Sequence, residues 1–219
     1  MGQNQIYALN DVSFEIKAGS FTAILGPSGS GKTTALNLLG AMDRATSGKI
    51  AAGDKIVTEM NDRQMESYRR NEIGFVFQFY NLIPMLTARE NVAIAARLSE
   101  NPMDVDDVIE AVGLKERKNL FPSNLSGGEM QRLSIARALV KKPEILLCDE
   151  PTGALDSETG KHILQLLKQT ADENKLALVI VTHNGSIEKI ADKVIKLKDG
   201  HVAESYTNKM PQPVMEVMW

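Results

Sequence analysis

The segment GPSGSGKT, residues Gly26–Thr33, most constrains what this chain can fold into. It fits the pattern G-x-x-x-x-G-K-[ST] and lies between an apolar run, Ser20–Gly26, and a helical pattern, Lys32–Leu39. Glycines let the backbone wrap around an anion with its N–H groups pointing inward, and the following helix N-terminus favours negative charge. The segment therefore predicts a phosphate-binding loop rather than a glycine-rich turn without a ligand.

Two side chains in this loop have distinct expected roles. Lys32 should reach the β- and γ-phosphates as a point charge, and Thr33 should give its hydroxyl to Mg²⁺. The residues predicted to bind the nucleotide phosphates are Gly26, Pro27, Ser28, Gly29, Ser30, Gly31, Lys32, Thr33 and Thr34.

Composition narrows the functional classes. The chain has 219 residues, of which 43% are hydrophobic, enough apolar material for one α/β domain. The net charge of −3 disfavours non-specific binding to nucleic acid. The single cysteine, Cys148, cannot form a disulfide framework, which indicates a reducing cytoplasm.

Apolar runs are too short for a membrane-spanning helix. One of the longest, Leu176–Val181, has six residues, whereas a span needs about twenty. The first ten residues lack the basic and apolar regions of a signal peptide. We expect a protein that is soluble by itself and reaches a membrane only through a partner.

Strand patterns alternate with helical patterns, which predicts a doubly wound, mostly parallel sheet. The expected strands are Val12–Ile16, Ser20–Gly26, a run ending at Gln78, and the runs EILLCDE, LALVIVTH and KVIKLKDG, with a small antiparallel piece in SGKIAAGDKIV. The expected helices are Lys32–Leu39, two or more starting at Thr87 and Pro102, and those near residues 159–169 and 186–192. We divide this single domain, 1–219, into a core (1–85 and 143–205), an inserted helical lobe (86–142) and a tail (206–219), with little pattern after Gly200.

Polar side chains at the ends of three strands are candidates for the chemistry. A parallel strand delivers its carboxyl end to the ligand crevice. Asp149 should therefore hold Mg²⁺, and Glu150 should face the γ-phosphate and accept a proton from the attacking water. Gln78 could contact both metal and water, and His183 could donate a hydrogen bond to the γ-phosphate. The alternatives are solvated strand ends for the acids and a buried, satisfied ring for His183.

A second glycine-rich helix start lies in the inserted lobe. Ser126 and Glu129 form a capping box, so a well-capped amphipathic helix is one interpretation. A capping box does not require Gly127 and Gly128, however, and these would leave the helix N-terminus open to a phosphate. Because no lysine accompanies this cradle, we expect it to receive the γ-phosphate held by a second copy of the chain.

Nearly the whole chain resembles the ATP-binding subunits of ATP-binding cassette (ABC) transporters, most specifically through LSGGEMQR. The resemblance identifies Gly26–Thr34 as Walker A, Gln78 as the Q-loop and Leu125–Glu129 as the signature. Asp149 and Glu150 are then Walker B, residues 154–156 the D-loop with Asp156 acting across the interface, and His183 the switch histidine.

The resemblance implies a P-loop ATPase that uses ATP and Mg²⁺ and closes as a homodimer. In each site, Ser126, Gly127, Gly128, Glu129 and Asp156 would come from the other copy. It further implies a peripheral position on the cytoplasmic face of the membrane, driving a separate permease. The segments FVFQFYNLIPMLTARENV and DEPTGALDSETG are most similar to the macrolide-export and lipoprotein-release subfamily. The apolar loop after Gln78 is either core or a groove for a permease helix.

Two alternatives to transport remain at this stage. The same ATP cycle could work as a switch on a membrane partner without transport, as in cell-division complexes. An ABC-type ATPase of DNA repair is disfavoured because residues 33–125 have no sustained heptads. Adenine binding is also open: Tyr7 lies very close to ALNDVSF, so either the start is shortened or adenine is held in another way.

Overall fold

Strands and helices alternate along residues 7–217, the part of the chain that this computed structural model describes. The strands are β1 (Phe21–Leu25), β2 (Ala51–Ala52), β3 (Lys55–Ile56), β4 (Ile73–Val76), β5 (Ile145–Asp149), β6 (Ala177–Thr182), β7 (Lys193–Lys198) and β8 (His201–Thr207). The helices are α1 (Lys32–Leu39), α2 (Asp62–Asn71), α3 (Ala88–Ala96), α4 (Val105–Ala111), α5 (Gly127–Leu139) and α6 (Ser157–Asn174).

Within the described residues, the main sheet has six strands in the order β4-β5-β6-β1-β7-β8. All neighbours are parallel except β8, which pairs antiparallel with β7 at one edge. Strands β2 and β3 form a separate antiparallel pair. The predicted fold class, a mostly parallel sheet with a small antiparallel piece, is confirmed.

Helices cover both faces of the sheet. Along β1, alternate side chains enter different clusters, because successive residues of a strand point to opposite faces. Phe21, Ala23 and Leu25 pack with α3 to α6, whereas Ile24 packs with α1 and α2. Since both faces are buried, β1 and β6 are buried along their entire length, which explains why their sequences are almost continuously apolar.

Helices α3, α4 and α5 lie within the predicted lobe and pack against one another. Thr87 caps α3 with the capping box that the sequence predicted, and Ser126 does the same for α5. The division of the chain into core, lobe and tail stays a prediction. No helix in residues 7–217 is long and apolar enough to cross a membrane.

The predicted strand Val12–Ile16 is wrong as a strand. Val12, Phe14 and Ile16 are partly buried and their neighbours are exposed, so the alternation that suggested a strand is real. No described strand pairs with this segment, however. Alternation determines which side chains face the core, but a strand also requires backbone hydrogen bonds to a neighbour.

Three further expectations need correction. Helix α4 starts after Asp104, whose carboxylate accepts from two backbone N–H groups, and not at Pro102. Residues Gly185–Lys189 form a 3-10 turn in place of the expected helix. His201–Thr207, where little pattern was seen, forms β8 because it can pair with the exposed edge of β7. Helix α2 was missed, although Asn61 and Gln64 give it a capping box.

Candidate functional site

The predicted phosphate loop joins β1 to α1. Its glycines are required by the geometry at several positions: Gly29 and Gly31 have φ angles of 76° and 97°, which disfavour residues with a side chain. A Cβ atom on Gly26 would lie 2.3 Å from the carbonyl oxygen of Leu197. The path of the loop therefore depends on glycine at these positions, and a larger residue at Gly26 would not fit.

Lys32 lies at the first position of α1 and is 8% exposed. Its ammonium donates to the carbonyl oxygens of Gly26 at 2.8 Å and Pro27 at 2.9 Å. These bonds bend the side chain back over the loop. They place the positive charge at the mouth of the backbone cradle, where a phosphate would contact both.

Asp149 ends β5 and faces the same loop. The Thr33 hydroxyl lies close enough to favour its ionised carboxylate. Burial raises the pKa of Asp149 above its usual value, and the charge of Glu150 adds to this, while the Thr33 hydroxyl and the charge of Lys32 oppose it. Among the described residues there is no group of three or more His, Cys, Asp or Glu that could hold a metal by themselves. A Mg²⁺ ion fits here, since it commonly takes one or two protein oxygens together with substrate phosphates.

Glu150 follows Asp149 and has a left-handed backbone, with φ of 46°. This turn sends its carboxylate toward the end of β6. The Thr182 hydroxyl donates to Oε2 at 2.7 Å, and the His183 backbone N–H donates to Oε1 at 3.0 Å. The His183 ring contacts the same Oε1 through Nδ1 at 2.8 Å. Glu150 is thus oriented by three groups, of which sequence reasoning missed Thr182, although it directly precedes His183.

Asp149, Glu150, His183 and part of the phosphate loop line one pocket of about 670 Å³. The pocket is lined by Ala8, Ser28, Gly29, Gly31, Lys32, Thr33, Thr34, Gln78, Asp149, Glu150 and His183. The structure therefore brings together most residues predicted for phosphate, metal and water, but Gly26, Pro27 and Ser30 do not line the pocket. Gln78 lies in a turn two residues beyond the end of β4, and not at the end of the strand as expected.

The adenine contact is unassigned. Ala8 lines the pocket and its carbonyl oxygen packs against Gly31, whereas Tyr7 is 57% exposed and does not line it. Among residues 7–217, no Phe, Tyr or Trp side chain lines this pocket. Residues 1–6, ahead of Tyr7, lie outside the described part of the chain.

The second cradle lies apart from the pocket. Ser126 is exposed at the N-cap of α5, where its hydroxyl accepts from the Glu129 N–H and the Glu129 carboxylate accepts from the Ser126 N–H. Glu129 also pairs with Arg117 at 2.9 Å. The hydrogen bond from the Ser126 N–H makes the largest contribution to lowering the pKa of Glu129. Neither Ser126, Gly127, Gly128 nor Glu129 lines the pocket of its own chain.

The two glycines of this cradle have a packing role that the sequence did not indicate. A Cβ atom on Gly128 would lie 2.6 Å from Cγ2 of Thr159, which belongs to α6. On Gly127 it would lie 3.2 Å from the Tyr80 hydroxyl and 3.5 Å from Cδ2 of Leu155. Close packing within the chain therefore requires glycine at position 128, whereas position 127 is tight but not closed to a methyl group.

Asp156 is exposed at the start of α6. Its carboxylate caps that helix by accepting from the Thr159 N–H at 3.0 Å, which lowers its pKa. It too lies outside the pocket of its own chain. Like Ser126, it is accessible to a second molecule.

The family model described as ABC transporter matches residues 9–153. A solved structure with 41% sequence identity superposes with a TM-score of 0.86, covering 94% of this chain and 93% of that one. It is described as a dimeric structure of a post-hydrolysis state of the ATP-binding cassette MJ0796 bound to ADP and Pi. The MJ0796 protein of Methanocaldococcus jannaschii, an uncharacterized ABC transporter ATP-binding protein, is 44% identical over 92% of this chain and 90% of its own length.

Other relatives are longer than this chain. A putative ABC transporter ATP-binding protein of Mycoplasma pneumoniae, the MG065 homolog, is 44% identical over 96% of this chain but only 46% of its own length. The macrolide export ATP-binding/permease protein MacB of Mannheimia succiniciproducens is 41% identical over 96% of this chain and 33% of its own. The chain thus spans about half the length, or less, of these two relatives.

Proposed function

This chain belongs to the ABC transporter family and carries that family's ATP-binding cassette, and we propose that two copies close around two ATP molecules and hydrolyse them to drive a membrane permease. The ATPase assignment agrees with the family match and with the cassette structures it resembles. The finer proposal concerns how the two copies share each reaction centre.

One observation carries this proposal. The pocket of a single chain contains the phosphate loop, Asp149, Glu150 and His183, but the capped helix start at Ser126 and the Asp156 carboxylate lie outside it and are exposed. A helix N-terminus with bare glycines favours an anion. A second copy related by a two-fold axis could place its Ser126 opposite the first copy's phosphate loop, and the reverse.

Each residue of the pocket then has a role in positioning and charge neutralisation, which dominate phosphoryl transfer. Loop N–H groups and Lys32 would hold the β- and γ-phosphates. Thr33, Asp149 and Gln78 would hold Mg²⁺, which when bound supplies positive charge to the phosphate oxygens. Ser126 of the facing copy would hydrogen-bond to the γ-phosphate from the other side.

Glu150 would accept the proton of the attacking water. General-base assistance typically contributes ~10²–10⁴ in rate. Thr182 and His183 would keep the carboxylate pointing into the site, and His183, which is exposed, could turn from Glu150 to the γ-phosphate. Because a carboxylate close to phosphate must be held in place against repulsion, these bonds matter for orientation.

The shared site can be tested by complementation. Ser126→Arg should abolish ATP hydrolysis because a guanidinium would fill the cradle. Lys32→Ala should abolish it by removing the positive charge that holds the phosphates. Mixing the two variants should restore one composite site per mixed dimer. Full activity of Ser126→Arg alone would refute the sharing of sites between copies.

Glu150→Gln tests the assignment of the base. The amide keeps the shape of the side chain but accepts a proton poorly, so ATP should still bind while turnover stops. An ATP-bound dimer should accumulate and be visible by size-exclusion chromatography. Hydrolysis at the unmodified rate would show that another group is the base.

A surface for the membrane partner lies beside Gln78. Phe79, Ile83 and Met85 are large apolar side chains with exposed fractions of 76%, 37% and 85%. Large exposed apolar patches mark interaction sites, and these three residues follow within seven positions of Gln78, which lines the pocket. We assign it to a cytoplasmic helix of a permease, which would hold this chain at the cytoplasmic face of the membrane. ATPase stimulation by a copurified permease, lost in Phe79→Ser, would test this; unchanged stimulation would contradict it.

A further inference from the structure

The backbone after Gln78 adopts an unfavourable conformation at two consecutive positions. Tyr80 and Asn81 have φ angles of 60° and 50°, in the left-handed region that residues with a Cβ atom rarely occupy. Such conformations persist only where the surroundings hold them in place. The residue that holds this pair therefore controls the course of the segment that carries Gln78.

Arg137 of α5 is that residue. Its Nη2 donates to the Tyr80 carbonyl oxygen at 3.0 Å, and its Nη1 donates to the Asn81 carbonyl oxygen. Burial lowers the pKa of Arg137, and no carboxylate in residues 7–217 forms an ion pair with it. A planar guanidinium that bonds two successive carbonyls restrains both peptide groups at once, with its two donors held in a fixed fork.

The same helix carries the exposed cradle at its other end. Ser126 caps α5, and Arg137 lies in its last turn. Tyr80 contacts both ends, since its carbonyl accepts from Arg137 while its hydroxyl lies 3.2 Å from the Cβ position of Gly127. Tyr80 is therefore bonded through its backbone to the C-terminal turn of α5, and its side chain packs beside the cradle at the other end.

Four residues after Arg137, Lys141 contacts the backbone at the N-terminal end of β4. Its ammonium donates to the carbonyl oxygens of Arg69 at 2.9 Å and Ile73 at 2.7 Å. Lys141 thus anchors the start of β4, whereas Arg137 anchors the segment that follows it. The two cations make similar contacts with backbone carbonyls, and only Arg137 acts on the segment leading from the pocket.

We propose that Arg137 is a positioning residue that couples Gln78 to Ser126 of the same chain. The position of Gln78 in the pocket then depends on the position of Ser126, and the reverse. This inference rests on the proposed function, because Gln78 serves the chain's own ATP whereas Ser126 serves the ATP of the facing copy. Loss of the Arg137 bonds should therefore impair both sites of the dimer and leave the phosphate loop intact.

Arg137→Met gives the first test, with Lys141→Met as the matched control. Each variant removes a cation that bonds two backbone carbonyls, Arg137 in the last turn of α5 and Lys141 two residues beyond its end. We expect Arg137→Met to lower kcat at least tenfold while nucleotide affinity of the monomer changes less than twofold. Lys141→Met, compared at a temperature where both variants are fully folded, should keep kcat within about threefold. Equal losses of kcat in the two variants would overturn the proposal.

Arg137→Lys distinguishes positioning from bulk stability. It keeps the charge but replaces the rigid planar fork of the guanidinium with a compact ammonium on a flexible stem, so we expect the thermal stability to recover more than kcat does. Should Arg137→Met fail to fold, Arg137→Lys serves as the test variant in all arms. Recovery of kcat in full by Arg137→Lys would contradict a role for the paired bonds.

The decisive arm uses the mixture of Ser126→Arg and Lys32→Ala. In its composite site, the Ser126→Arg chain supplies the phosphate loop and Gln78, and the Lys32→Ala chain supplies the cradle. Arg137→Met added to either chain should lower the activity of the mixture at least tenfold. If Arg137→Met lowered the activity in only one of the two chains, the proposal would be overturned, because Arg137 would then position only Gln78 or only Ser126.

The two failures are distinguishable. If the mixture without any change at Arg137 is inactive, the shared site and this inference both fall. If that mixture is active and Arg137→Met leaves it unchanged in both placements, the proposed function stands and the role of Arg137 is refuted.

Discussion

Nδ1 of His183 lies 2.8 Å from Oε1 of Glu150, at the junction of the phosphate pocket and the end of β6. The ring is exposed while the carboxylate is largely buried, with side-chain exposures of 69% and 12%. The carboxylate is therefore fixed by the protein, and the ring is the partner that can move. Replacing the ring should remove one of the contacts that orient the proposed base and also a donor to phosphate.

We expect His183→Ala to lower kcat by about 10²-fold, within the range for a positioned acid or base, with little change in thermal stability because the ring is exposed. Nucleotide affinity should stay within a few fold, since Lys32 and the loop are untouched. Steady-state ATPase assays with nucleotide titration check this. His162, the histidine on α6 and outside the pocket, offers a control, and His162→Ala should match the unmodified chain.

Thr182 should be a positioning residue for Glu150. Its hydroxyl donates to Oε2 and accepts from the Asn184 N–H at 3.1 Å. Thr182→Val keeps the volume and removes both bonds, so we expect kcat to fall about tenfold and the free energy of unfolding to drop by ~1–3 kcal/mol, the usual effect of an unsatisfied buried group. Thr182→Ser keeps the hydroxyl and should restore both. A Thr182→Val enzyme with unchanged kcat would show that Glu150 needs no such support.

Gly128 and Thr159 form a contact that only glycine permits. In Gly128→Ala the new methyl would overlap Cγ2 of Thr159, so we expect a loss of ~1–3 kcal/mol in the free energy of unfolding, as for other overpacked sites. Thr159→Ser removes that methyl and keeps the N–H that caps onto Asp156. The double variant should therefore have a free energy of unfolding in urea close to that of Thr159→Ser.

A double variant that stays as unstable as Gly128→Ala would exclude the methyl overlap as the cause. ATPase assays on the same proteins separate the two roles of the glycine. Low turnover in a double variant with restored stability would assign Gly128 to phosphate contact as well as to packing.

Local patterns made much of this fold predictable. The loop Gly26–Thr33, its flanking strand and helix, and the capping boxes at Thr87 and Ser126 depend on residues adjacent in sequence, so the sequence alone indicates them. The meeting of the loop with Asp149, Glu150 and His183 in one pocket followed from parallel strands ending at the same edge of a sheet. Roles in phosphate, metal and proton chemistry stay predictions until tested.

Relationships between distant segments were not predictable. Arg137 and Tyr80 lie 57 positions apart, and nothing in either local sequence indicates their bond. The tight fit of Gly128 against Thr159 likewise depends on how α5 packs on α6. Val12–Ile16 shows the reverse error: local alternation predicted a strand, but none of the described strands pairs with it. Tertiary partners decide these cases.

Lys141 should make stability depend on pH above neutrality. Burial, with a smaller contribution from the charge of Arg137, lowers its pKa from 10.5 to about 8. The folded chain thus gives up this proton more readily than the unfolded chain, which binds more protons between pH 8 and 10.5. The free energy of unfolding contributed by Lys141 should therefore rise across that window and stay constant below it.

Lys141→Met isolates this contribution from the other groups that titrate at alkaline pH. Urea unfolding at pH 7, 8, 9 and 10 should show the unmodified chain gaining stability relative to Lys141→Met as pH increases, because the neutral amine keeps its bonds to Arg69 and Ile73 without a buried charge. A difference that is constant or shrinks with pH would contradict the lowered pKa. In Arg137→Met, where one source of repulsion is gone, the same rise should begin at higher pH.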